Sequence, residues 1–376
     1  MSSKFRLFTK RFFIIINIIV VAVFLLACLI PYLNPKTWWF ISFLGLAFPF
    51  LLFIVLAFLI WWLIVLKPKL ALISAVALLL GYKSITAFLA FHSPKTFNYK
   101  KQAGNLRVAS WNVARFLELK RNNNEASMKR LNMFEQIKQQ DADILCLQEF
   151  HTSTNPDYYD NITPIQKELG YPYFYFSFDE DGDRHYYSSI IFSKFPIIDS
   201  GLVRYPRPTL PDVLLFTDIK YNKDTIRVYT THLQSNLLDK KDYERLNKIK
   251  SGEDSIVSNS KNILAKLKRG SVNRGIQATI ISDILGVSPY PFLLCADLND
   301  IPNSYTYFTA KGNLQDAFLK KGAGIGRTFA SISPTLRIDY IFTDKQFKII
   351  QFNRIAKRLS DHYMLVADVE LKSPNP

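Results

Sequence analysis

Between Arg11 and Lys36 the chain carries no charged side chain, and between Lys36 and Lys67 it again carries none. Each stretch exceeds the ~20 apolar residues needed to cross a bilayer. The first quarter of this 376-residue chain is therefore constrained to membrane helices before anything else about its fold is read. The pairs Trp38-Trp39 and Trp61-Trp62 lie near the ends of the second stretch, where amphipathic rings favour the interface. A third stretch is interrupted by Lys83, which either snorkels to an interface or marks a segment lying in it. The expected organisation is a membrane region over residues 1–92 with two to three helices at about 12–33, 38–65 and 70–91, a linker over 93–105, and a globular catalytic domain over 106–371.

Charge follows the same division. No Asp or Glu precedes Glu118, while residues 1–101 carry eleven Lys and Arg, so the net charge of +16 leaves only +5 for residues 102–376. The basic balance is mostly a membrane-flank effect and argues poorly for nucleic-acid binding. Lys4, Arg6, Lys10 and Arg11 before the first stretch, against Lys36 in the first loop, orient the amino terminus to the cytoplasm. Three spans, the preferred reading, put the globular domain outside; two put it inside, which Lys95, Lys100 and Lys101 favour. The expectation is an integral protein of a bacterial inner (cytoplasmic) membrane with an extracytoplasmic domain. A cleaved leader ending near Leu26-Ala27-Cys28 competes, but a lipoprotein would not run straight into a second long apolar stretch. Cys28, Cys146 and Cys295 have no paired spacing, so neither a disulfide partner nor a zinc cluster is expected, and Cys146 and Cys295 read as core.

Downstream, Leu106-Arg107-Val108-Ala109-Ser110-Trp111 alternates like a strand with Asn112 at its end. Residues 127–139 carry Met128, Leu131, Phe134 and Ile137 at helical spacing, a buried strand follows over 143–147, and Glu149 sits just beyond it. Further strand-like runs cover 189–193, 214–219, 226–231, 291–296, 338–343 and 364–371. Residues 236–290 read as a long helical excursion, and the aromatic residues of 171–178 as core and strand surface. Short polar motifs recur at the ends of these runs, as in an α/β sheet whose side chains converge at one edge.

Hydrolysis of a phosphate ester needs a hard cation, a group that orients water, and donors for the phosphate oxygens. Glu149 suits Mg²⁺ (or Mn²⁺), the bland reading being a solvated strand-end glutamate. Asn112 can bond Glu149, or be a turn asparagine. Asp297 and Asn299 flank Leu298, so in an extended chain both point to one side, although Asp-Leu-Asn-Asp is also ordinary turn composition. Of five histidines, His232 and His362 end strand-like runs; His362 follows Asp361, and Asp339 is a candidate to orient its ring. His92, His151 and His185 read as loop or linker residues.

The motifs Ser110-Trp111-Asn112, Leu147-Gln148-Glu149, Thr231-His232-Leu233, Ala296-Asp297-Leu298-Asn299-Asp300, Arg337-Ile338-Asp339-Tyr340-Ile341 and Ser360-Asp361-His362 together resemble the endonuclease/exonuclease/phosphatase superfamily over residues 105–371. The resemblance implies a four-layer α/β sandwich with a Mg²⁺-dependent site. It implies that Asn112 and Glu149 form the metal site with Asp361 near it, that Asp297 and Asn299 position water and phosphate, and that His232 stabilises the transition state. His362, oriented by Asp339, would be the general base or the charged phosphate-binding partner. Val113-Ala114 after Asn112 lack the acid of apurinic endonucleases, and Thr231 to Asn236 look closer to the deoxyribonuclease and sphingomyelinase branches. No acid in 187–195 pairs obviously with His232, and Gly322, Gly324 and Gly326 before Thr328-Phe329 resemble a family loop or form a plain flexible connection. The expected partners are a phosphate-ester substrate, nucleic acid or phospholipid head group, and a lipid bilayer. The alternatives are an inositol-phosphate phosphatase and an inactive membrane interaction protein.

Overall fold

Charge-free sequence at the amino terminus folds as helix because, away from water, a helix satisfies its own backbone. The computed structural model describes residues 3–93, 95–121, 127–209, 213–237, 241–242, 244, 256–331 and 333–372, so much of the polar stretch before Lys268 lies outside the described residues. Helices α1 (Ser3–Leu29), α2 (Pro35–Ser42), α3 (Leu44–Ile64), α4 (Pro68–Leu80) and α5 (Tyr82–Phe88) occupy the first ninety residues. Leu7–Tyr32 and Leu44–Ile64 are each long and apolar enough to cross a membrane. The third segment is not one straight helix: α4 and α5 meet at 64°. Gly81 sits at the break, and a Cβ there would lie 2.7 Å from the Phe24 ring, so the bend comes with close packing on α1.

The chain divides into two compact units. The first joins residues 1–89 to Leu237–Gly275 and Ile301–Thr309. Within it Ser74 donates to Asn17 at 3.0 Å, a buried polar link between α4 and α1, and Asn303 donates to the Ala27 carbonyl at 3.0 Å.

The second unit, residues 90–236, 276–300 and 310–376, is an α/β sandwich. Its strands are β1 (Ala90–Phe91), β2 (Leu106–Asn112), β3 (Ile144–Ser153), β4 (Tyr173–Phe176), β5 (His185–Ser193), β6 (Ile197–Arg204), β7 (Val213–Tyr221), β8 (Asp224–His232), β9 (Phe292–Asp297), β10 (Gln315–Asp316), β11 (Ala323–Gly324), β12 (Asp339–Thr343), β13 (Phe347–Ile355) and β14 (Met364–Leu371). One sheet runs β13-β14-β2-β3-β5-β4 and the other β10-β12-β9-β8-β7-β6. Alternation along β2 explains the layering: Leu106 and Val108 meet Val228, Leu293 and Cys295 between the sheets, while Ala109 and Trp111 face α6 (Ser127–Gln140). Cys146 lies in the same inter-sheet core. A short helix α7 (Ile162–Lys167) follows β3, and Tyr229 and Leu294, on the far face of the second sheet, are buried too, as are Ala278 and Ile281 of the long helix α8 (Ile256–Gly286).

The buried face of α6 differs from the expected one. Met128 and Leu131 are exposed, whereas Arg130, Met133, Phe134 and Ile137 turn inward, with the Arg130 guanidinium 4.5 Å over the Phe134 ring. The cationic stem completes the stripe that apolar counting assigned to Leu131. The linker is docked rather than loose: Arg107 donates to the carbonyls of Asn98 and Tyr99, and Lys101 pairs with Asp143.

Candidate active site

Each sheet contains one parallel pair, β2 with β3 and β8 with β9. Parallel strands deliver their carboxyl ends to the same edge, so Asn112 and Glu149 arrive together, as do His232 and Asp297. The antiparallel neighbours bring their starts to that edge: Asp339 opens β12 directly opposite Asp297, and His362 lies just before β14, which pairs with β2. Residues separated by up to 250 positions therefore meet through register alone.

Two local distortions aim the side chains. The pairing of β3 with β5 slips between Leu147 and Phe150, a bulge that puts two residues opposite one. Gln148 then faces the interior, donating to Ser110 and Thr230, while Glu149 at φ +49° turns into the site. Glu149 thus lies within a strand that runs on to Ser153, not beyond its end. Asn299 also takes φ +49°, so the chain is not extended after Asp297. The turn, closed by the Asn299 N–H donating to Asp297 Oδ1 at 2.9 Å, brings both side chains to the site by a different route from simple alternation.

The hydrogen bonds form one network. Asn112 Oδ1 accepts from the Ala114 N–H at 3.0 Å, which fixes the amide so that Nδ2 donates to Glu149 Oε1 at 3.0 Å and Asp297 Oδ2 at 2.9 Å. Residues 114–117 all have positive φ, a left-handed turn that stores strain beside the site. The Asn299 amide contacts His232 Nε2 at 2.9 Å and donates to the Leu233 carbonyl. His232 Nε2 stands 3.5 Å from Glu149 and 3.7 Å from Asp297, so among the described residues β3 and β9 set acids beside it and residues 187–195 do not. His362 Nδ1 contacts both Asp339 oxygens at 3.0 Å and lies 3.7 Å from Asp297. The Trp111 indole donates to the His362 carbonyl at 2.9 Å, and Ser360 donates to the Asn112 carbonyl at 2.9 Å.

Electrostatics separate the two central groups. Burial opposes a charge on His362, yet Asp339 and then Asp297 outweigh it and carry its pKa up to about 10. Burial, reinforced by Asp339, pushes the Asp297 carboxyl above its usual range, against His362, His232 and Asn112. The His362 ring therefore favours its charged form between the carboxyl groups of Asp339 and Asp297. Asp297, Asp339 and His362 offer ligand atoms within 4.8 Å of one another, a second place where a cation could be held. Glu149 is the more accessible donor, its side chain 28% exposed and Oε2 free of hydrogen bonds among the described residues.

Seven expected residues, Asn112, Glu149, His232, Asp297, Asn299, Asp339 and His362, meet here. Asp361 is exposed with Oδ1 on the Ser360 hydroxyl, and its charge reaches His362. Arg337 does not join them; it is buried and paired with Asp316 at 2.6 Å. His151 and His185 are not loop residues: both lie in paired strands, because their neighbours alternate into the core on either side. Unforeseen were Thr328, whose Oγ1 accepts the Ile338 and Asp339 N–H groups, and Phe329, whose ring meets that of His362 at 5.0 Å. The three glycines before them gave the signal: Gly326 takes φ +71°, and a Cβ there would fall 2.4 Å from the Phe318 ring, so this is a built loop.

Residues 109–362 match the model of the Endonuclease/Exonuclease/phosphatase family. Residues 10–88 match that of a domain of unknown function, DUF8431. No curated protein matches the chain by sequence. Among solved structures, the human Nocturnin catalytic domain with bound sulfate anion is 19% identical at TM-score 0.50, covering 72% of this chain and 95% of that one. An endonuclease/exonuclease/phosphatase from Beutenbergia cavernae DSM 12333 is 17% identical at TM-score 0.48, with 72% of each chain covered. TDP2 from D. rerio, complexed with single strand DNA product, is 15% identical at TM-score 0.47, covering 71% and 99%.

Proposed function

This chain belongs to the endonuclease/exonuclease/phosphatase family, whose members hydrolyse phosphoester bonds, and we propose that it is a membrane-anchored, divalent-metal-dependent phosphodiesterase. The observation that carries the reading is the convergence, where the two sheets bring their strand ends together, of His362 between two carboxyl groups with a separate, partly open carboxylate beside an amide. The donor set fits a hard ion such as Mg²⁺ or Mn²⁺: Glu149 would hold it, Asn112 keeps that carboxylate in place through its amide nitrogen, and Asp361 adds negative charge nearby. Bound there, the ion would neutralise charge on the phosphate oxygens.

The remaining work falls to the protein. Asp297, fully buried and more basic than an ordinary carboxylate, orients the attacking water and accepts its proton. His232 and Asn299 face the phosphate oxygens. His362, with Nδ1 committed to Asp339, donates to phosphate through Nε2 as a charged partner, so of the two roles open from sequence its raised pKa supports this one. Asp339 orients that ring. Leu7–Tyr32 and Leu44–Ile64, with the bent α4–α5 pair as a third crossing, anchor a catalytic domain over 106–371 outside the cytoplasm. Tethering favours a phospholipid head group by proximity, the second reading.

Parallel assays of DNA, RNA, sphingomyelin and inositol phosphates, with wild type and Glu149→Ala, test the function. Turnover of one class that vanishes in the variant names the substrate; no metal-dependent turnover of any would reject the reading. An alkaline phosphatase reporter fused after Lys101 tests the side: it is expected to be active, and inactivity in a stable fusion overturns the extracytoplasmic assignment.

A further inference from the structure

Two half-buried guanidinium groups beside the proposed phosphate site have no carboxylate partner among the described residues. Arg327 donates to the carbonyls of Phe329 and Ala330. Those residues are paired with the catalytic segment: Phe329 bridges His362, and the Ala330 N–H donates to the Asp361 carbonyl at 2.7 Å. Arg327 is thereby clamped where the chain runs alongside Asp361 and His362. Arg354 reaches the same segment from β13. It pairs with Leu365 near the start of β14, and its guanidinium lies 5.4 Å from the centre of the Tyr363 ring.

The Arg354 position is not comfortable for a lone cation. Burial and the nearby charge of Arg327 hold Arg354 below its usual range, although Tyr363 works the other way. Two fully buried arginines of this unit are answered by acids, Arg107 by Asp368 and Arg337 by Asp316, while Arg130 is answered by the Asn161 side-chain oxygen. Two like charges kept close and unanswered lower stability, and a doubly charged anion spanning them would remove that cost. Lys357 and Arg358, in the exposed turn leading to Ser360, add positive charge along the same chain.

We propose that Arg327 and Arg354 form a subsite for a second phosphate group of the substrate, next to the phosphate cleaved at His362. The inference rests on the phosphodiesterase reading and deepens it: the substrate carries a further anionic phosphate flanking the scissile ester. A choline head group, which is cationic, meets two guanidinium groups and is disfavoured. Guanidinium suits this role because its planar fork bonds phosphate through two N–H groups at once.

The test uses the full chain in detergent micelles and two matched chromogenic esters. One is the p-nitrophenyl ester of thymidine 5′-phosphate; the other carries an additional 3′-phosphate. Wild type is expected to prefer the bisphosphate in kcat/KM by roughly ten- to hundredfold, mainly through KM. In Arg327→Gln, Arg354→Gln and the double variant that ratio falls toward one. Arg354→Lys, which keeps charge but loses the fork, retains part of it and guards against a folding defect. A wild-type ratio near one, or variants that lose both esters in equal proportion, overturns the subsite. Turnover of neither ester by wild type rejects the phosphodiesterase reading itself. A single-stranded oligonucleotide and an inositol trisphosphate, as competitors of the bisphosphate, separate a nucleic-acid phosphate from a sugar-phosphate head group.

Discussion

Two histidines in the second unit are almost equally buried, His362 at 4% exposure and His151 at 2%, and their pKa values are driven in opposite directions. Around His362 two carboxylates overcome burial and raise the pKa to about 10. Around His151 burial is reinforced by His185 and Arg115, and the pKa falls to about 4. His151 Nδ1 has no hydrogen-bond partner among the described residues, whereas His362 Nδ1 is shared between two oxygens. Burial alone does not raise a histidine's pKa; the strand register that sets acids opposite the ring does.

Exchanging His362 for Ala should break the contrast most severely. With the imidazolium gone, kcat/KM on bis-p-nitrophenyl phosphate is expected to fall by about 10³-fold or more, measured as initial rates at saturating Mn²⁺. Glu149→Gln keeps shape and loses charge, so a fall of roughly 10²-fold should come with a higher Mn²⁺ concentration for half-maximal rate. Asp339→Asn is the sharper probe of the ring's charge. His362 in the wild type loses its proton only as pH rises through about 10, so activity should persist into alkaline solution. Removing the strongest of the groups that raise it should draw the alkaline limb of the pH profile toward neutrality and lower the rate by roughly 10- to 100-fold.

His151→Gln should leave turnover nearly untouched and alter acid stability. The folded-state pKa of about 4 lies below the ordinary 6.5, so the unfolded chain takes up a proton that the folded chain refuses. Stability is whole above pH 6.5 and is lost as pH falls toward 4. The variant should lose a few degrees less in Tm between pH 7 and 5, measured by differential scanning fluorimetry.

Much of the site was legible because its residues lie at the ends of strands with clear apolar runs. The runs at 291–296, 338–343 and 364–371 fall within a residue or two of β9, β12 and β14. What the sequence hid was decided by tertiary pairing. The bulge that turns Glu149 inward appears only when β3 is laid against β5, and nothing local announces it. Asn299 reaches the site through a left-handed residue, where strand alternation suggested an extended one. β6, with a half-exposed Ile-Ile-Asp-Ser-Gly-Leu-Val-Arg sequence, offers no clean alternation and owes its strand to β7. Residues Ile301–Thr309 directly follow the Asp297 motif, yet they group with the apolar helices through contacts such as Asn303 with Ala27, which no periodicity encodes.

The most direct test of the central claim is the hydrolysis of bis-p-nitrophenyl phosphate by the full chain, before and after EDTA and on return of Mn²⁺, with His362→Ala and His151→Gln alongside. The account predicts turnover that EDTA abolishes and Mn²⁺ restores, that His151→Gln retains and that His362→Ala lacks. Turnover indifferent to EDTA, or undiminished in His362→Ala, would contradict it.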